Sequence, residues 1–142
     1  MIAIGSDHAG FLLKEKIKKH LTDTGFEFKD FGTYSEESCD YPVFAKKVCD
    51  SVVNKECLYG ILVCGTGVGM SIAANKQKGI RAAVGSDSFS VKYTRLHNDA
   101  NVLCFGARVI GDGLAMEFTD IFLNTSFQGG KHKKRIDMFG LN

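Results

Sequence analysis

The sequence predicts a three-layer α/β/α sandwich around a five-stranded parallel sheet, of the Rossmann-like, dinucleotide-fold kind. Short apolar runs alternate with amphipathic stretches from one end to the other, as in strands joined by crossover helices. The most continuously apolar run, Tyr59 to Cys64 (YGILVC), is bounded by turn signals, as a strand covered on both faces is. A glycine cluster follows that run immediately, where a strand would hand over to a helix. A chain of 142 residues suits one domain, able to bury about two-thirds of its unfolded surface, and no domain boundary interrupts it.

Met1 to Ser6 (MIAIGS) reads as the first strand. Gly10 to Thr24 reads as a helix because Leu13, Ile17 and Leu21 recur at i, i+4 and i+8; Lys14, Glu15, Lys18 and Lys19 are expected to face water. Gly25 stops it, and Glu27 to Gly32 (EFKDFG) alternates as a second strand. Asp40-Tyr41-Pro42 opens the next helix, roughly Pro42 to Asn54, with proline where its missing N–H is not needed. Val43, Phe44, Val48 and Val52 or their neighbours should be buried there, with Cys49 in the core. YGILVC is the central third strand, and Gly65 to Gly69 lead into an Ala-rich helix ending at Asn75. Gly79 to Ser86 is a fourth strand, Asp87 to Leu96 a helix, Val102 to Phe105 the fifth strand and Gly111 to Thr125 a long last helix. From Gly129 on, GGKHKKRIDMFGLN (about 129–142) is too short and basic for a second domain; an arm packing on a neighbouring subunit is one use for it.

Composition narrows the function classes. With 44% hydrophobic and 24% charged residues, wholesale disorder is excluded, and a net charge of +2 is too small for nucleic acid to be bound across the whole surface. Five cysteines, odd in number and without CxxC spacing, follow an N-terminus with no signal-peptide pattern, so a reducing cytoplasm is expected. No apolar run approaches the ~18 to 20 residues that span a bilayer, so a soluble protein without a membrane partner is expected.

In such a fold, ligands sit beyond the carboxyl ends of the strands. The first strand ends in GSDHAG, bringing Asp7 and His8 to that edge. Asp7 can cap the helix or serve the ligand, and His8 can donate to a phosphate or a sugar hydroxyl. The third strand ends in Cys64, Gly65, Thr66, Gly67, Val68 and Gly69. Glycines expose successive N–H groups, and a helix N-terminus adds partial positive charge, so the loop suits an oxyanion or phosphate. The same field favours a thiolate, which makes Cys64 a candidate base or nucleophile; its alternative is an inert buried thiol. The spacing GxGxG is neither GxGxxG nor GxxxxGK with Ser or Thr, which weakens a nucleotide reading. RLHNDAN clusters Arg95, His97, Asn98 and Asp99; His97 is a candidate acid or a partner of the helix dipole. Arg108 and the basic tail (Lys131, His132, Lys133, Lys134, Arg135) are either solvated or a phosphate grip. The four histidines lack metal-ligand spacing, so no metal is expected.

Together, GSDHAG, DYP, CGTGVGMSIAANK, RLHNDAN, FGARV and GGKHKKR occur in the order seen in the ribose-5-phosphate isomerase B family, whose sugar-phosphate isomerases include relatives of the galactose-6-phosphate enzymes. The resemblance spans nearly the whole chain. It implies a metal-independent aldose-ketose isomerase, without cofactor, that interconverts ribose 5-phosphate and ribulose 5-phosphate through a cis-enediolate. Allose 6-phosphate or galactose 6-phosphate is the alternative substrate, and a non-catalytic sugar-phosphate-binding module the alternative class. By the same resemblance, Cys64 is the base, the backbone N–H groups of Gly65, Thr66, Gly67, Val68 and Gly69 stabilise the enediolate, and the Thr66 side chain helps the proton between its oxygens. His97 is the acid that opens the furanose ring, helped by Asp7. Tyr41 and Asn98 contact the sugar, while His8, Arg108, Lys131 and Arg135 bind substrate, chiefly its phosphate. Another branch uses a glutamate further along the loop, where this chain has Met70. Lys131 stands where arginine is common and lacks the bidentate fork. A homodimer, or dimer of dimers, with shared active sites is implied.

Overall fold

The computed structural model describes residues 1–140; residues 141 and 142, the last two of the expected arm, lie outside the described residues. In chain order the elements are β1 (Ile2–Ser6), α1 (Phe11–Asp23), β2 (Phe28–Asp30), α2 (Tyr41–Val53), β3 (Tyr59–Cys64), α3 (Val68–Asn75), β4 (Ala82–Val84), α4 (Ser88–Leu96), β5 (Val102–Gly106), α5 (Asp112–Asn124) and α6 (Lys131–Ile136). The strands form one parallel sheet in the order β2-β1-β3-β5-β4. The three-layer expectation holds.

Each face of the sheet has its own core. Leu13, Ile17 and Leu21 of α1, Val91 of α4, and Ala115, Phe118 and Phe122 of α5 cover Ile2, Ile4, Ile61, Val63, Leu103 and Phe105. Ala45, Val48, Cys49 and Val52 of α2 with Met70 and Ala74 of α3 cover Ala3, Leu62, Cys64, Val102 and Cys104. Strand side chains alternate between faces, so β1, β3 and β5 are apolar at every core position, as the run YGILVC requires.

Two burial expectations are corrected. Lys14, expected in water, is fully buried. At about 100° per residue it lies only about 20° beyond Leu21 around α1, so it belongs to the edge of the apolar stripe. Its ammonium reaches both oxygens of Asp30 at 2.6 and 2.7 Å and the Thr33 carbonyl at 2.7 Å. Burial pushes the Asp30 carboxyl up, but hydrogen bonds from Lys14, Lys18 and the Gly32 N–H outweigh it and hold Asp30 below the usual carboxylate value. Val43 is half exposed, because the inward stripe of α2 runs through Ala45, Val48, Cys49 and Val52. Cys49 is in the core as expected.

The described part of the arm returns to its own chain. The Gln128 N–H donates to the Leu96 carbonyl at 3.0 Å, and α6 lays the His132 ring on that of His97.

Candidate active site

The sheet order locates the site. From β1 the chain moves outward to β2 and then crosses back past β1 to β3, so the loops after β1 and β3 lead to helices on opposite faces. Between them lies the topological switch point, the usual ligand crevice of such sheets. Ser6 pairs with Val63 across this junction, which sets Asp7 and His8 beside Cys64.

The thiol meets the glycine loop directly. Cys64 is buried, and the N–H of Gly67 donates to its Sγ at 3.1 Å. Gly67 has φ of +82°, and a Cβ there would lie 2.8 Å from the Phe105 backbone, so only glycine can turn this N–H back onto the sulfur. The Val68 N–H donates to Thr66 Oγ1 at 3.2 Å, leaving the hydroxyl proton free to be given away. Among the described residues the N–H groups of Gly65, Thr66, Gly69 and Met70 find no protein acceptor, as in the first turn of any helix, which leaves them available to an anion.

Around this loop stand four of the sequence candidates. The Tyr41 ring lies on Gly69, where a Cβ would approach it to 2.7 Å. Arg108 follows β5; its N–H donates to the Gly65 carbonyl at 3.0 Å, and its guanidinium flanks Gly65. Asp7 accepts the Gly10 N–H at 3.0 Å, so one of its oxygens does cap the approach to α1. His8 Nδ1 accepts the Cys39 N–H at 3.2 Å, a contact with no local sequence signal across 31 residues.

His97, Asn98, Lys131 and Arg135 are elsewhere. Helices here run back against the strands, so the end of α4 lies at the amino edge of the sheet. The Gly60 N–H, at the start of β3, donates to the carbonyl of Asn101, while Cys64 closes the other end of the strand opposite Gly106. Four strand residues at about 3.3 Å each put the two edges about 13 Å apart, with His97 further back still. There the His97 ring stacks on His132 with centroids 3.9 Å apart and meets Tyr93 edge-on at 4.7 Å. Burial, then the charges of His97, Lys131 and Arg135, hold His132 below the usual histidine value. Asn98 borders a cleft of about 420 Å³ with Arg81 and Phe139. One chain therefore carries the candidate residues in two groups on opposite edges of the sheet. His132 is the residue that sequence reasoning noted only as part of a basic run; nothing in that run signals its contact with His97.

Met70, which opens the buried side of α3, is fully buried. Cys49 is pushed up to about 12 by burial and Cys104 well above the ordinary thiol value by the same cause, so both stay protonated at neutral pH. Among the described residues no three His, Cys, Asp or Glu side chains converge as metal ligands, and no helix is long and apolar enough to cross a membrane.

A parallel sheet with a buried thiol and a glycine loop at its switch point defines an α/β protein of the Rossmann-like kind, with its ligand crevice at the carboxyl edge. Residues 2–139 match the model of the Ribose/Galactose Isomerase family, and the chain belongs to that family. It is 50% identical to ribose-5-phosphate isomerase B of Escherichia coli over 136 residues, 96% of this chain and 91% of that protein. Among solved structures, Clostridium thermocellum ribose-5-phosphate isomerase B superposes with a TM-score of 0.97 at 50% identity, covering 99% of this chain and 95% of that one. Mycoplasma genitalium ribose-5-phosphate isomerase B, solved with bound ribulose-5-phosphate, gives a TM-score of 0.91 at 43% identity, covering 96% and 91%.

Proposed function

We propose that this chain interconverts ribose 5-phosphate and ribulose 5-phosphate by acid-base chemistry through a cis-enediolate, at a site completed by a second copy. The observation that carries the reading is the Gly67 N–H on Cys64 Sγ at the switch point. An N–H aimed at sulfur stabilises negative charge there, which a base needs. The Mycoplasma relative with ribulose-5-phosphate bound supports the five-carbon substrate.

The furanose opens when the ring oxygen gains a proton and the C1 hydroxyl loses one. His97 of the second copy supplies the first, with Asp7 at hand for the other. Cys64 thiolate then removes the C2 proton; the electron pair becomes the C1–C2 double bond, and negative charge collects on O1. The free loop N–H groups hold that oxyanion, a contribution commonly worth about 3 to 4 kcal/mol per donor. Thr66 passes the O2 proton toward O1, and the Cys64 thiol returns its proton to C1, leaving the ketone at C2. Asn98 and Tyr41 orient the sugar, while His8, Arg108, Lys131 and Arg135 meet the phosphate. Lys131 contributes charge without a fork, so Arg135 carries the directional contact. A reducing interior such as the cytoplasm suits five free thiols.

The test offers purified protein, in EDTA, ribose 5-phosphate, allose 6-phosphate and galactose 6-phosphate in turn and follows ketose formation. Turnover of the pentose phosphate first, and its loss in Cys64→Ala with binding retained, is expected. Inertness toward all three sugars would leave only a binding module.

A further inference from the structure

Arg95 was read from the sequence as one member of a polar cluster at the end of α4. In the structure it is only 3% exposed. Its Nη1 donates to Asp99 Oδ1 at 2.8 Å and to the Ala100 carbonyl at 2.7 Å. Its Nη2 donates to the Tyr59 hydroxyl at 2.8 Å, and Nε to the Thr125 carbonyl at 3.1 Å. The flat face lies over Tyr59 at 4.7 Å and against Phe122 at 5.8 Å. Burying a guanidinium is costly unless its hydrogens are met and its charge is balanced; here Asp99 balances it and four acceptors meet it.

Three of the four acceptors belong to the two segments that carry the histidine stack, and the fourth, Tyr59, opens β3. Ala100 and Asp99 end the turn that begins at His97, and Asp99 is held at φ of +46°, a left-handed conformation that a side chain disfavours. Arg81 holds the same residue from the other side, with Nε on the Asp99 carbonyl at 2.7 Å and Nη2 on Oδ2 at 3.3 Å. Thr125 closes α5, from which the chain runs to α6 and His132. One guanidinium thus ties the root of His97 to the root of His132.

We propose that Arg95 is a positioning residue for the ring-opening half-site: its fork holds the His97–Asp99 turn and the Thr125 departure point in the one arrangement that stacks His97 on His132. Being buried, it touches no substrate. Lysine, a point charge on a flexible stem, cannot meet four acceptors in fixed directions. The proposal rests on the acid role given to His97 for its effect on turnover, but not for its effect on the rings.

The experiment compares Arg95→Lys with the parent protein in two ways. Imidazole resonances of His97 and His132 report the stack directly; in Arg95→Lys they move toward those of free histidine. Turnover is measured at saturation from ribose 5-phosphate, which is a closed ring, and as solvent-deuterium exchange at C1 of ribulose 5-phosphate, whose O5 is esterified and cannot close a furanose. Ribose 5-phosphate turnover is expected to fall about tenfold or more, as misplacement of a reacting group does, while exchange changes by no more than about twofold. Unchanged resonances in a folded Arg95→Lys protein, or equal losses in both assays, overturn the proposal. If His97→Asn leaves ribose 5-phosphate turnover intact, the acid role fails by itself and the resonances still decide the positioning. Should Arg95→Lys not fold, Asp99→Asn, which keeps an acceptor but loses the balancing charge, carries the same two outcomes.

Discussion

On the proposed function, the separation of Cys64 from His97 makes activity recoverable from two damaged proteins. Cys64→Ala removes the proposed base and His97→Asn the proposed acid, and each alone should be severely impaired, acid-base groups being commonly worth about 10²- to 10⁴-fold. Acid and base must act on neighbouring atoms of one sugar, yet the strand between their edges is about 13 Å long. In the proposed shared site, a two-fold dimer meets this by pairing Cys64 of one chain with His97 of the other. When the variants are mixed, dissociated and reassociated at random, about half the dimers are mixed, and each has one site with both substitutions and one with neither; about one quarter of wild-type activity should return. The assay is ribose 5-phosphate turnover against mixing ratio, with native mass spectrometry counting mixed dimers. Mixed dimers no more active than the mean of the parents would refute the shared site.

The buried ion pair should respond unequally to its two halves. Asp30→Asn leaves the Lys14 ammonium buried against two neutral oxygens, those of the amide and of the Thr33 carbonyl, with its contacting negative charge gone, whereas in Lys14→Met the carboxylate keeps Lys18 at 2.8 Å and the Gly32 N–H at 2.9 Å. Urea unfolding should therefore show Asp30→Asn losing about 3 to 5 kcal/mol and Lys14→Met less, and the reverse order would contradict the assigned partners. Because the folded Asp30 value is depressed, its contribution is full above the unfolded value of about 3.9 and disappears as pH falls through the lower folded one. Acid unfolding of Asp30→Asn should accordingly be flatter across that window. His132 is depressed as well, so the unfolded chain binds its proton first and the packing of the tail weakens as pH falls through about 6.5. Amide protection factors in residues 128–140, taken relative to the intrinsic rate at each pH, should fall as pH drops below that value; pH-independent protection factors would argue against the stack. Iodoacetamide at neutral pH should leave Cys49 and Cys104 unmodified in the folded protein, a result checked by peptide mass mapping.

Much of the fold was legible because parallel strands buried on both faces are apolar throughout, and their helices carry an apolar stripe. Lys14 escaped because a lysine at the edge of that stripe looks solvated until Asp30, sixteen residues away, is brought against it. Glycine at 67 was readable as a turn, but not that the turn points its N–H at Cys64. By itself, the sequence determined the layered α/β class and the strand ends that bear Cys64, Asp7 and Arg108, and it marked the candidates for acid, base and phosphate contacts. Only the tertiary structure decided which of these share an edge. Local pattern encodes which side a residue faces, but distance across a sheet depends on strand order and on the direction in which each helix returns. Those put Arg108 with Cys64 and sent His97, Asn98 and the tail to the opposite edge.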